Sequence, residues 1–562
     1  MVDLIGKLRA ITKPLRGNML DIGWLDDLPK TDYLTSQEIM LERLWAFASD
    51  ENPLDRQALS VLLAIDERCR EGIAALTKQY VGTPSFTFEA DERIWQFVHN
   101  YYQALDKAYQ AFLDRHTANP AQSQLTDTIP QLVLNSLDSQ RCVAKWRYLR
   151  YQSMTEGKWI KLHRLYQLAE QTGCTVIPLR RFPDHPETTV MSCYFQALML
   201  DTLNHTSMMK AEIEMLAGWL PHWCGGMVLE ASYSEAHHLF FVNLEEDRGG
   251  RRIRHSRPSK NYRYWDTDKL VQQVDRLRGY LKQGRLPEDL HLAPNVGFSD
   301  CQLLVEHMLV EWSRTLYLRQ RRSDEREKTM KVAQVVNGIL NCCQHVKNIV
   351  YNRGRETQYD ELNVGNLSEE DFQEIKAQAG EIVLPGINSE QWDIEDESKY
   401  GFGAVVNAEL NFWLRPGKLI VLDYEMYPEM PVVGVVRSVK QRPGYKCHVG
   451  IEVLCHTPAY VRMRSIYQKE PSYEFLPADV FLASTMTTEG AEPFPALYLP
   501  KDEERDIPST LLLPKVEFIT GGVFELRTDK HHCQARLGRV LEQKDDWVRV
   551  EVQFPEGDKS LA

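Results

Sequence analysis

Apolar residues along this chain follow two different spacings. From about residue 34 to residue 320 they recur every three or four positions, which predicts amphipathic helices. Met40, Leu41, Leu44 and Phe47 form one stripe, and Ile94, Trp95, Val98, Tyr102, Leu105 and Phe112 form another within residues 91–115. Further helices are expected near residues 129–154, 158–171, 188–203 and 207–220, and over 301–320. No fixed repeat period links them, so a regular helical solenoid is not supported. One β-rich interruption, CGGMVLEA followed by HHLFFVNLEE, predicts a hairpin near residues 224–246.

Beyond about Thr329 the pattern changes. MKVAQVV, GAVVNAEL, KLIVLDYE, VVGVVRSV, KCHVGIEVL, VEFI, VFELRT and VRVEVQF are β-branched runs separated by Gly, Pro and Asp turns. They predict a small antiparallel barrel followed by a second β unit. The expected fold class is therefore α+β and multidomain. A helical domain would occupy 1–320, an interrupted barrel 321–470 and a β-rich extension 471–562, with an acidic insertion near 338–390. Thirteen acidic residues and one base, Lys376, lie between Glu356 and Glu397, a composition that reads as a solvated insertion between strands.

Composition narrows the function classes. With 562 residues the chain has room for three or four folded units, and 43% hydrophobic residues argue against wholesale disorder. A net charge of −13 argues against nucleic acid as a partner for the whole chain, but total charge does not exclude a local basic site for a small anion. Eleven scattered cysteines without a C-x-x-C pair fit reduced thiols and a cytoplasmic setting. No apolar run approaches the length of a membrane span.

Signatures of enzymatic chemistry are missing: there is no P-loop, no G-x-S-x-G and no H-E-x-x-H. Gly249-Gly250 and Gly521-Gly522 read as turns. The neighbours His237-His238 and His531-His532-Cys533 splay apart on extended backbone and suit no common metal. Cys342-Cys343 sits in a helical run, where a small buried hydrophobe is the default. The basic run from Arg248 to Arg263 mixes arginines with Tyr262, Tyr264 and Trp265, but no nucleic-acid fold signature surrounds it, and it reads as a solvated loop. No catalytic or metal-binding residue is assigned, and no enzyme activity is expected.

Two short motifs do carry a reading. The first is R-x-x-x-R, Arg322 and Arg326, with Arg319 and Arg321 nearby as secondary candidates, just before the first strand. The second is D-x-S-x-x-G, formed by Asp396, Ser398 and Gly401. A guanidinium fork makes two parallel hydrogen bonds to a guanine O6/N7 edge or to a phosphate, which lysine cannot copy. A carboxylate suits the N1–H and N2–H₂ donors of guanine, and a serine hydroxyl both donates and accepts. Alternation along a strand would turn Glu395 and Glu397 away from that ligand.

Across roughly residues 319–454 this order of motifs and strands resembles the PilZ domain, the bacterial receptor module for cyclic di-GMP. The resemblance implies a non-enzymatic effector whose regulatory ligand is cyclic di-GMP, with no catalytic cofactor. Binding would order the arginine segment and shift the helical domain, through which a protein partner would act. The alternative is a degenerate PilZ-like scaffold that binds protein partners without nucleotide. In this chain 70 residues separate Arg326 from Asp396, so the acidic insertion has to loop out of the barrel.

Overall fold

The computed structural model describes residues 33–47, 54–82, 88–119, 125–254, 259–293, 296–315, 326–349, 389–424, 427–466, 492–528 and 532–554. The chain divides after Gln320 into a helical unit and a β unit.

Among the described residues the first unit contains nine α-helices: α1 (Tyr33–Phe47), α2 (Arg56–Gly82), α3 (Phe88–Ala118), α4 (Ile129–Tyr148), α5 (Lys158–Thr172), α6 (Val190–Thr202), α7 (Lys210–Trp223), α8 (Asp268–Lys282) and α9 (Phe298–Trp312). Their apolar stripes meet in one core that includes Leu44, Phe47, Leu105, Phe112 and Trp146. A short ribbon pairs β1 (Leu179–Arg180) with β2 (Glu187–Thr188).

The β interruption differs from the expected hairpin near 224–246. Cys224–Gly226 forms a 3₁₀ turn, and the segment after it contributes only an isolated bridge from Glu230 to Tyr264. The sheet is instead three-stranded, with β3 (Phe240–Asn243) between β4 (Arg251–Arg252) and β5 (Tyr262–Trp265). The aromatic run Tyr262–Trp265 thus takes the edge that the glycine-broken run could not hold.

The expected helix over 301–320 also ends early, at Trp312, where Ser313 turns extended. Its final carbonyls are taken by side chains: Thr267 Oγ1 donates to Trp312 O, and Arg252 Nη2 donates to Glu311 O at 3.0 Å and to Ser313 O.

The second unit holds two closed antiparallel barrels. The first contains β6 (Glu327–Asn337), β7 (Glu390–Ser398), β8 (Gly401–Asn407), β9 (Leu419–Tyr424), β10 (Tyr427–Arg442) and β11 (Lys446–Cys455), in the order β10-β11-β8-β7-β6-β9. The second contains β12 (Ala459–Ser465), β13 (Phe494–Leu499), β14 (Thr510–Pro514), β15 (Val523–Arg527), β16 (His532–Gln543) and β17 (Trp547–Gln553), in the order β12-β13-β14-β17-β16-β15. VEFI is not a strand: Lys515–Glu517 is a 3₁₀ turn that leaves Val516 exposed.

Several strands are apolar on both faces because both faces are buried. In β13 and β14, Ala496, Tyr498, Leu511 and Leu513 fill the second barrel. Their neighbours Leu497, Leu499 and Leu512 point the other way, onto Leu419, Val421, Val433 and Val435 of the first barrel. A helical stretch at residues 339–349 packs Ile339, Cys342, Cys343 and Val346 into this shared layer. Both cysteines are fully buried, as their apolar helical setting leads one to expect. Trp547 closes the layer and donates from Nε1 to Gly417 O at 3.0 Å.

Candidate functional site

The first barrel brings the two sequence motifs together. β6 and β7 are hydrogen-bonded neighbours, with Glu327 opposite Glu397 and Lys328 opposite Asp396, although residues 338–389 lie between them in the chain. Arg326, one residue before β6, therefore lies beside Asp396, and its Nη1 is 2.5 Å from Asp396 Oδ1. Both side chains are about a quarter exposed, at 24% and 26%.

The D-x-S-x-x-G motif straddles a tight turn. Asp396 and Ser398 end β7, Lys399 and Tyr400 form the turn, and Gly401 opens β8. Ser398 Oγ donates to Gly401 O at 3.3 Å. A side chain at Gly401 would crowd Ile451 O at 3.1 Å and Arg326 Nη2 at 3.4 Å, so the glycine is needed for this approach.

Arg326, Asp396, Ser398 and Gly401 thus form one group. Arg319, Arg321 and Arg322 lie outside the described residues.

A residue that the motif does not single out completes the site. Gly403 pairs with Asp396 across the β7–β8 ladder, and a Cβ there would lie 2.5 Å from Asp396 Oδ1. The space that the carboxylate occupies exists because position 403 has no side chain. Only the register reveals this, although the G-F-G string was visible in the sequence.

The acidic neighbours are neutralised by partners rather than by simple alternation. A register shift between Ile394 and Asp396 interrupts the pleat at Glu395. Lys331 Nζ lies 2.6 Å from Glu397, and Arg442 Nη1 lies 3.9 Å from Glu395. On β11, burial and then the Arg442 guanidinium hold the His448 imidazole below its ordinary range. The surroundings can therefore accept an anion near Arg326 without two bare carboxylates facing it.

Other candidates have structural roles. Within the basic run, Arg263 forms a fork on Glu170 with contacts of 2.8 and 2.7 Å, Arg251 pairs with Glu246, and Arg252 holds the α9 carbonyls. Gly249 and Gly250 are not simple turns: a Cβ on Gly249 would strike Asp201 and Trp159, and one on Gly250 would strike Trp265. His237-His238 precedes β3 rather than opening it, and His238 Nδ1 accepts from Ser234 N at 3.0 Å. His532 pairs with Glu525. Among the described residues no group of three or more His, Cys, Asp or Glu is placed to hold a metal.

A cavity of about 860 Å³ in the helical unit is lined by Asp66, Arg70, Tyr101, Asp138, Arg181 and Trp219, among others. Its charges largely satisfy one another, with Arg181 2.5 Å from Asp66 and 3.2 Å from Asp138. No described helix is long and apolar enough to cross a membrane.

Fold and site together define a multidomain α+β protein: a helical unit followed by twin β-barrels, with a guanidinium–carboxylate pair set beside a glycine-lined hairpin on the first barrel. Residues 23–234 match the family model described as the N-terminal domain of the cyclic-di-GMP receptor FimW, and residues 480–554 match that of the FimW C-terminal β-barrel domain. The chain is thus similar to both kinds of FimW domain in those two segments, and the first barrel, with Asp396, lies between them. No curated protein matches the chain, and no solved structure does.

Proposed function

We propose that this protein is a non-enzymatic, cytoplasmic receptor for cyclic di-GMP, and that its first barrel is a PilZ-like module binding the nucleotide through Arg326, Asp396, Ser398 and Gly401. Arg322 would supply a second guanidinium, with Arg321 and Arg319 in secondary roles. The observation that carries this reading is the Arg326–Asp396 contact, which unites two motifs 70 residues apart. The matches to two FimW domains support it from outside the site.

Guanine can replace that ion pair on both sides. Its O6/N7 edge suits the Arg326 fork, and its N1–H and N2–H₂ donors suit the Asp396 carboxylate. Opening the ion pair frees two charges that the ligand pairs again, and each charge-assisted bond to it contributes about 1.5–3 kcal/mol. Exchange therefore favours the bound state. Ordering of the arginine segment would then shift the helical domain and change what it presents to a protein partner.

Calorimetric titration with cyclic di-GMP tests the reading. Saturable binding is expected, weakened about ten- to several hundredfold in Arg326→Ala and in Arg322→Ala, while Arg248→Ala binds as the wild type does. Arg322→Lys should recover little. Cyclic di-AMP presents an acceptor at N1 and should bind at least about a hundredfold more weakly.

A second reading has one observation in its favour. Arg326 and Asp396 already satisfy each other, as they would in a scaffold that docks proteins without nucleotide. Absence of saturable heat would establish that alternative over the receptor.

A further inference from the structure

The turn inside the D-x-S-x-x-G motif is held from the second barrel. Lys399 and Tyr400 connect Ser398 to Gly401 as a two-residue hairpin loop, and neither has a positive φ. Two-residue hairpins normally rely on turns with positive φ, whose twist matches that of the strands. This turn therefore lacks the usual local preference for its own shape and depends on outside contacts.

Most of those contacts come from the loop between β13 and β14, and the rest from the end of β11 and the residue after it. The Arg505 guanidinium lies 4.4 Å from the centre of the Tyr400 ring. The same side chain donates to Val453 O at 2.9 Å and to Leu454 O at 3.1 Å, and Val453 N donates to Tyr400 O at 3.0 Å. Asp502 fixes Arg505 in turn, accepting from its Nε at 2.7 Å and from its backbone N at 3.0 Å. Glu504 accepts from both Lys399 Nζ and Tyr400 OH, and His456 Nε2 lies 2.9 Å from Lys399 O. The Glu504 contacts are exposed and individually weak. Arg505 is only 19% exposed, and its planar fork spans two carbonyls, so it is the principal anchor.

We propose that Arg505, assisted by Glu504, is a positioning residue for the nucleotide site: by clamping Tyr400 it sets the turn that presents Asp396, Ser398 and Gly401. The second barrel would then belong to the receptor's binding machinery without touching the ligand. The inference rests on the cyclic di-GMP reading above.

The test uses the full-length chain and cyclic di-GMP as probe. Arg505→Ala should raise Kd about tenfold, because a loosened turn must be ordered on binding. Arg505→Lys should recover only part of that loss. Tyr400→Ala should weaken binding similarly, and the double variant should be no weaker than the worse single one, since both act through one contact.

Amide hydrogen exchange supplies a readout that general destabilisation would not reproduce. Asp502 and Ile507 bond to each other through their backbones in the clamp loop. Adding cyclic di-GMP to the wild type should slow exchange at both amides by linkage, and Tyr400→Ala should abolish that ligand-dependent slowing. If Arg505→Ala is poorly folded, Arg505→Lys and the wild-type exchange data decide. Wild-type binding with unchanged affinity in the Arg505 and Tyr400 variants, or with no slowing at Asp502 and Ile507, overturns the clamp alone. A wild type that does not bind overturns both the receptor reading and the clamp.

Discussion

Gly249 and Gly403 both lack a Cβ because a carboxylate needs the space, yet their replacement should have opposite consequences. A Cβ at position 249 would lie 2.1 Å from Asp201 Oδ2 and 2.6 Å from the Trp159 ring. Asp201 accepts a 2.6 Å bond from Tyr148 OH and has little freedom to retreat. Gly249→Ala should cost about 1–3 kcal/mol of stability, measured by urea unfolding. At position 403 the three atoms nearest the Cβ would all be in the Asp396 carboxylate, at 2.5 to 2.7 Å, and that side chain can rotate away. Gly403→Ala should leave the unfolding midpoint almost unchanged and weaken cyclic di-GMP binding at least about tenfold, by turning the carboxylate from its place. The two cases also mark what a sequence reveals of a site. Asp396, Ser398 and Gly401 are legible because their spacing is fixed by one turn. Gly403 gains its role from the residue opposite it on the ladder, and Gly249 from a helix 48 positions earlier, so neither shows in local spacing.

At the scale of elements, burial on two faces explains both the strands that could be read and those that could not. KLIVLDYE reads readily because β9 is apolar and buried from Leu419 to Leu422, as a strand between two cores must be. FPALYL and TLLLP follow the same rule as β13 and β14, but each is short and contains or adjoins proline, so neither is among the strands the sequence predicts. VEFI has strand composition, yet Val516 and Glu517 belong to the 3₁₀ turn Lys515–Glu517 that begins where β14 stops. The helix expected to run to residue 320 shows the same limit: periodicity continues past Trp312, but Thr267 and Arg252 cap the end from elsewhere in the fold. The shared layer between the barrels carries its own prediction. Leu499→Ala should cost about 2–5 kcal/mol and, because Leu499 packs with Val421 and Val433, should raise amide exchange in β9 and β10 as well as in β13.

Across the whole molecule, buried titratable groups in the helical unit make stability depend on pH in two opposing ways. Burial pushes His163 down to about 4, while Tyr194 OH lies 2.6 Å from its Nδ1. Its folded pKa lies below the unfolded value, so its contribution is complete above about pH 6.5 and is lost as pH falls towards 4. Burial raises Asp201 to about 6, so its contribution is present at low pH and is lost as pH rises through 6. On going from pH 7 to 5, His163→Phe should lose about 2 kcal/mol less stability than the wild type, and Asp201→Asn about 1 kcal/mol more, measured by urea unfolding of the full chain. The joining of β6 to β7 has a different reach. Closing a loop costs free energy only as the logarithm of its length, so extending this connection from about five to about fifty residues costs about 2 kcal/mol. Strand pairing can absorb that, and the interval between an arginine pair and D-x-S-x-x-G becomes free to vary between proteins. A search pattern with a rigid gap will pass over chains built this way. One that lets the gap float, and asks instead that the two motifs fall on adjoining rungs of a ladder, will recover them.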